Sequence, residues 1–340
     1  GRKNCIKLDL NENYELFDKN FLNKFKKIDN FVVSSYPEYD SLLKLLSKYA
    51  KQPTGNILVT NGGDQAIELS LRLFFGAKSA VTMPSPVFSI YDHCLNILGV
   101  KIKHIPYADN YNQFKFPFDE TLKCLANSNG LILCNPNNPL GSGIKKTHLL
   151  RLISETDRLN IPCIIDEAYF EFYGQTAAPL IKKHKNLIII RTFSKAFGLA
   201  GLRLGYILAD KEIIEQLLKI RWPWAVNHFA VCAAEAVLKN QEFFSKKMNS
   251  FLNAKSHLEK FLIQNHYQVY KTETNFLVIK INNRKQFTEK VSKQNILVND
   301  ISEYPFNFGL LDNSIRITVP SGPKNLATLK RVCKSVARGV

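Results

Sequence analysis

From about residue 40 to residue 220, short apolar runs alternate with longer amphipathic stretches, and this alternation limits the fold more than any other feature. The runs are NILVT (56–60), SAVTM (79–83), KIKHIPY (101–107), GLILCN (130–135), PCIID (162–166), NLIIIRT (186–192) and LGYILA (204–209). Helical stretches such as DQAIELSLRLFF (64–75) and KTHLLRLISETDRLN (146–160) lie between them. Strands buried on both faces read as unbroken apolar runs, and a helix between two of them returns the chain to start a parallel neighbour. The pattern predicts an α/β fold with a large domain, in which a mostly parallel, doubly wound sheet is sandwiched by helices. After about residue 223 long helical segments precede short strands, TNFLVIKI and SIRITVP, which predicts a smaller α+β domain. The polar segment before residue 38 reads as an arm or as part of the small domain. The expected division is therefore 1–37, 38–222 and 223–340.

At 340 residues the chain is long enough for about two domains. Its 45% hydrophobic and 22% charged residues are those of a globular protein. No apolar stretch approaches the roughly 18 residues that cross a bilayer, so no membrane partner is expected. The N-terminal GRKNCIKLDL has no apolar core behind its basic residues and does not read as a signal peptide. The net charge of +17 raises a nucleic-acid reading. However, the 46 Lys and Arg are spread in short runs, KFKK (24–27) among the densest, without the aromatic interleaving of a nucleic-acid face. A basic, solvated surface is expected instead. The seven cysteines, at 5, 94, 124, 134, 163, 232 and 333, form no CxxC and no Cys/His metal spacing, which fits a reducing cytoplasm and no metal site.

Four places put polar or glycine-rich loops at strand ends, where ligands gather in open α/β sheets. In TNGGDQAIEL (60–69), Gly62 and Gly63 precede a helix whose first turn holds Asp64; this suits a phosphate or an ordinary turn. CNPNNPLG (134–141) brackets an asparagine pair with prolines, either as a binding loop or as a plain turn. In IIDEAYFEF (164–172), Asp166 ends a strand and Tyr169 follows three residues later; Asp166 either faces a ligand or caps the turn. In RTFSKAFGLAGLRLGY (191–206), Lys195 stands just past a strand end, as a Schiff-base amine or a solvated lysine, with Thr192, Ser194 and Arg203 as candidate phosphate ligands.

Taken together, NPNNPxG, DEAYxEF and RTxSKAFxLAGLRxGY, with LDLNEN (8–13), SYPE (35–38) and SIRITV (314–319), resemble the fold-type I pyridoxal-phosphate enzymes of the class I/II aminotransferase superfamily. The likeness is greatest to the histidinol-phosphate aminotransferase and threonine-phosphate decarboxylase groups and covers nearly the whole chain. It implies pyridoxal 5'-phosphate as cofactor in the large domain. By this likeness Lys195 carries the cofactor and moves the substrate proton. Asp166 pairs with the pyridine nitrogen, favouring its protonated, electron-accepting form. Asn138 and Tyr169 hold the ring hydroxyl oxygen, and Tyr91 stacks on the ring face. Gly62, Gly63, Asp64, Thr192, Ser194 and Arg203 form the phosphate cup. Tyr36 reaches the neighbouring subunit's cofactor, which implies a homodimer. Arg316 grips the substrate carboxylate, with Asn13 and Asn299 also at the substrate.

The chain departs from the family at two points. Tyr14 stands where LDLNEN is usually followed by proline. Asn299, in ILVND (296–300), stands where members with phosphorylated substrates commonly have arginine, and a neutral amide cannot replace a bidentate guanidinium on a phosphate. Trp222 and Trp224 in RWPWAVNHFA are read as hinge packing or as a substrate-pocket wall. The resemblance implies transfer of an amino group from an amino acid or amino-phosphate to a 2-oxo acid such as 2-oxoglutarate. The alternative is a decarboxylase of the threonine-phosphate type, in cobamide synthesis. A binding protein that had lost catalysis would be expected to lose the lysine, and Lys195 is present.

Overall fold

The computed structural model describes residues 2–23 and 29–337. The KFKK run and the end of the chain after residue 337 lie outside the described residues. Among the described residues, fourteen strands form two main sheets and a hairpin. The strands are β1 (Ile6–Leu8), β2 (Ile57–Thr60), β3 (Ala80–Ser85), β4 (Lys101–Pro106), β5 (Ala108–Asn110), β6 (Gln113–Lys115) and β7 (Gly130–Cys134). They continue with β8 (Cys163–Asp166), β9 (Leu187–Thr192), β10 (Gly205–Leu208), β11 (Gln268–Tyr270), β12 (Phe276–Lys280), β13 (Ile296–Asp300) and β14 (Ser314–Thr318).

The seven apolar runs before residue 210 form one sheet in the order β2-β10-β9-β8-β7-β3-β4. Only β10 runs against its neighbours. Side chains alternate across this sheet. Leu131, Leu133, Ile165 and Ile189 enter one apolar layer. Ile132, Ile164, Ile188 and Ile190 enter the other. The helix Gly62–Phe74 buries Ala66, Ile67, Leu69, Ser70 and Leu71 against this sheet.

The second sheet has the order β1-β13-β14-β12-β11, and its Leu277, Ile279, Ile315 and Ile317 join the first apolar layer. Its β1 comes from the N-terminal arm, which pairs in parallel with β13 at Ile6↔Ile296. The arm is thus a strand of the small sheet, nearly 300 residues away from its partner in sequence. Tyr14 anchors the same segment: its hydroxyl accepts from Asn325 at 3.2 Å, and Lys7 lies 4.5 Å above its ring. No helix among the described residues is long and apolar enough to cross a membrane.

Candidate active site

The strand ends on one side of the large sheet, roofed by the arm, enclose a cavity of about 500 Å³. Its lining includes Gly63, Asp64, Asn138, Asp166, Tyr169, Thr192, Ser194, Lys195, Arg203, Asn299 and Arg316, so most of the sequence-expected site residues converge. The loop that brings Asn138 here is held by its neighbours. Asn135 Oδ1 accepts from the Ile144 amide at 2.8 Å, and Asn137 donates to Pro86 O at 3.0 Å. Asn138 Oδ1 in turn accepts from Arg316 Nη1. A guanidinium has only donors, so this bond turns the Asn138 NH₂ group outward, free to donate to another oxygen.

Asp166 is the last residue of β8 and is 7% exposed. It accepts from the Ala168 amide at 2.9 Å and from the Tyr91 hydroxyl at 3.2 Å. Burial pushes its carboxyl up to about 6, against the pull of those two donors. A cation at the cavity floor would offset that penalty. The Lys195 ammonium donates to Leu10 O at 3.1 Å. Burial first, then the charge of Arg316, pulls this amine down to about 8, while Asp64 and Glu12 act against them. Tyr169 accepts from Asn11 Nδ2 at 2.8 Å, which leaves its own O–H to donate elsewhere; burial raises its pKa and keeps the phenol protonated. Arg316, on β14, is 5% exposed and donates through Nη2 to Asp9 O at 2.8 Å, but its buried Nε has no partner.

At the other end of the cavity the helix Gly62–Phe74 points its N-terminus, with its unpaired amides and positive dipole, toward Arg203, Ser194 and Thr192. Arg203 donates to Asp64 at 2.7 Å and reaches Ser194 Oγ at 3.5 Å, while Thr192 Oγ1 accepts from the Ser194 amide at 3.1 Å. Gly62 has φ +75°, and a Cβ there would stand 2.6 Å from Arg203 Nη2. Only glycine leaves the guanidinium room to lie against this turn. These donors suit a phosphate, and the orphaned Arg316 Nε suits a carboxylate.

Three expectations are corrected, those for Tyr91, for Asn13 and for the two tryptophans, and the placement of Tyr36 is given with them. Tyr91 is wholly buried with its hydroxyl tied to Asp166, so it presents no free face to the cavity; Phe88, in the same PSPVFSIY run, lines it instead. Asn13 bonds Ala196 O at 3.3 Å and lines a neighbouring cavity, while Asn11, the first asparagine of LDLNEN, reaches Tyr169. Tyr36 is outside its own chain's cavity, 72% exposed and stacked on Trp224 at 4.3 Å. Trp222 and Trp224 are 77% and 51% exposed and neither packs a hinge nor walls the pocket. Sequence reasoning also missed Arg191 and Glu167. They form a buried pair beside the floor, Nη2 to Oε2 at 2.9 Å, with the guanidinium over the Phe170 ring. The only sequence hint was a charge inside the apolar run of β9.

The family described as aminotransferase class I and II matches residues 3–336. The chain belongs to the class I and II aminotransferase family. It is a pyridoxal-phosphate-dependent aminotransferase, and the donors around the cavity fit that cofactor. A histidinol-phosphate aminotransferase of Caldanaerobacter subterraneus subsp. tengcongensis is 33% identical over 323 residues, 94% of this chain and 90% of that protein. The fold is shared with the histidinol-phosphate aminotransferase of Sinorhizobium meliloti solved with pyridoxal-5'-phosphate (TM-score 0.84, 22% identity, 98% of this chain and 91% of that one). It is also shared with the L-threonine-O-3-phosphate decarboxylase of Porphyromonas gingivalis (TM-score 0.82, 23% identity, 98% of each chain).

Proposed function

We propose that this aminotransferase takes the amino group from an amino acid, or from an amino-phosphate, and passes it to a 2-oxo acid, with 2-oxoglutarate as the general acceptor to try first. The observation that carries this reading is Arg316. Its Nη1 and Nη2 are spoken for by Asn138 and Asp9, which fixes the fork, and its unpaired Nε faces the need for an acidic partner. Bound in the cavity, the cofactor's pyridine ring supplies an electron sink for the bond broken at the substrate's α-carbon. Asp166 holds a proton at the ring nitrogen. Asn138 Nδ2 and the Tyr169 hydroxyl hold the ring oxygen. Arg203, Ser194, Thr192 and the amides of Gly63 and Asp64 hold the phosphate. An amine near pH 8 exists in both forms around neutrality, so Lys195 can accept and return the α-proton. Arg316 keeps the substrate carboxylate in place during that transfer.

The active unit in this reading is a homodimer in which Tyr36 reaches the other subunit's cofactor. Exposed Phe31, Tyr36, Trp222 and Trp224 supply an aromatic surface for the contact. A fully active monomer would rule that assignment out. Seven cysteines with no CxxC among them suit a reducing cytoplasm. The division at residues 37 and 222 remains our assignment of the arm, the large cofactor-binding domain and the small domain. The test of the reaction is a half-reaction followed by absorbance. The holoenzyme is mixed with amino donors and no oxo acid, with released CO₂ measured in parallel. Conversion of the cofactor to its amine form without CO₂ supports the reading. CO₂ release without the amine form overturns it in favour of a decarboxylase.

A further inference from the structure

Three consecutive residues of the arm touch three groups of the site. Asp9 O accepts from Arg316 Nη2 at 2.8 Å, Leu10 O accepts from Lys195 Nζ at 3.1 Å, and Asn11 Nδ2 donates to the Tyr169 hydroxyl at 2.8 Å. Of the three, Asn11 alone does so through its side chain. It is 1% exposed and has a left-handed φ of +56°, which asparagine tolerates better than most residues. Each of its polar atoms is engaged. Its backbone amide donates to Thr318 Oγ1 at 3.0 Å, its Oδ1 accepts from the same hydroxyl at 3.2 Å, and its carbonyl accepts from Asn275 Nδ2 at 2.9 Å. Thr318 ends β14, two residues beyond Arg316, and Asn275 directly precedes β12. The small sheet therefore fixes Asn11, and Asn11 reaches Tyr169 beyond the end of β8.

We infer that Asn11 is a positioning residue whose side-chain amide aims the Tyr169 hydrogen at the cofactor's ring oxygen. A hydroxyl carries one hydrogen, and Asn11 brings an N–H to the Tyr169 oxygen, so that hydrogen must turn to another acceptor. The Tyr169 ring is buried and packs edge-on against Phe276 at 5.7 Å, which leaves the direction of the hydrogen as the freedom still to be fixed. Thr318 in turn sets which way the Asn11 amide faces. Its oxygen receives the Asn11 backbone N–H and its hydrogen goes to Oδ1, which leaves Nδ2 for Tyr169. This role rests on the proposed assignment of Tyr169 to the ring oxygen. A donor on that oxygen stabilises its negative charge, which is greatest once the nitrogen joining the ring to Lys195 has lost its proton. The bond from Tyr169 therefore lowers the pH at which the bound cofactor's absorbance changes form, and Asn11 sustains that lowering from the arm.

The test is a pH titration of the holoenzyme's absorbance without substrate. Asn11→Asp keeps the shape and suits the left-handed backbone but offers Tyr169 an acceptor, which draws the hydrogen away from the ring. The midpoint is expected to rise by about one pH unit, the scale of one lost hydrogen bond to a charged oxygen. Asn11→Gly deletes the side chain at a φ that glycine adopts freely, and should raise the midpoint by less. Thr318→Val no longer orients the amide and should also raise it, while Thr318→Ser keeps the hydroxyl and should stay at the parent value; this pair serves if the arm variants do not fold. Tyr169→Phe should raise the midpoint at least as far as Asn11→Asp, and either Asn11 variant added to it should change nothing more. Parent-like midpoints in both Asn11 variants, with Tyr169→Phe shifted, would overturn the role of Asn11 and leave the Tyr169 assignment standing. A shift that persists undiminished when an Asn11 variant is added to Tyr169→Phe would overturn it too, because Asn11 would then act by another route. An unmoved midpoint in Tyr169→Phe overturns the Tyr169 assignment, and the role of Asn11 falls with it.

Discussion

On the proposed assignment, Lys195 would hold the cofactor through its amine, and only the unprotonated amine is nucleophilic. An amine that ionises near 8, rather than at its ordinary 10.5, has about one molecule in ten free at pH 7, against about one in three thousand. Burial and the nearby Arg316 charge thus supply about 300-fold more nucleophile at neutrality. Mixing apo-protein with pyridoxal phosphate and following the absorbance of the lysine-bound form tests this directly. The uptake rate should rise about tenfold per pH unit from 6.5 and level off near 8. The sign follows from the shift: a lowered amine pKa moves the free, reactive form to lower pH. Arg316→Gln removes the second-largest cause of the lowering, so the bend should move upward in pH. Lys195→Ala should abolish the band. A rate that keeps climbing to pH 10 in the parent, or an unmoved bend in Arg316→Gln, would refute the reasoning.

Asp166→Asn should cut turnover by about a hundredfold or more, because a neutral amide no longer favours the protonated ring nitrogen, while cofactor titration shows binding largely retained. Gly62→Ala places a methyl against Arg203 at a left-handed φ. It should weaken cofactor affinity about tenfold, read by titration of the apo-protein, while far-UV circular dichroism stays unchanged. Glu167→Gln leaves the buried Arg191 charge uncompensated. Urea unfolding should show a loss of about 3 kcal/mol, and an unchanged midpoint would mean that Thr176 and Phe170 suffice to hold Arg191.

Local sequence determined which segments build the large sheet, because strands buried on both faces read as apolar runs, as Leu187, Ile188, Ile189 and Ile190 of β9 show. It also placed Asp166, Thr192 and Lys195 at strand ends, where side chains can leave the sheet and meet a ligand. It could not tell Phe88 from Tyr91, or Asn11 from Asn13. Each pair lies in one short run, and which member turns inward depends on packing against distant segments. Nor could it show the roof of the site. Leu10 O meets Lys195 across 185 residues, and Asn11 meets Thr318 across 307. β13, too polar to stand out as a strand, takes its place only because β1 and β14 offer it partners. The charge balance of the cavity is likewise a tertiary property. Lysines and arginines are abundant along the chain, but folding decides which few line an enclosed volume.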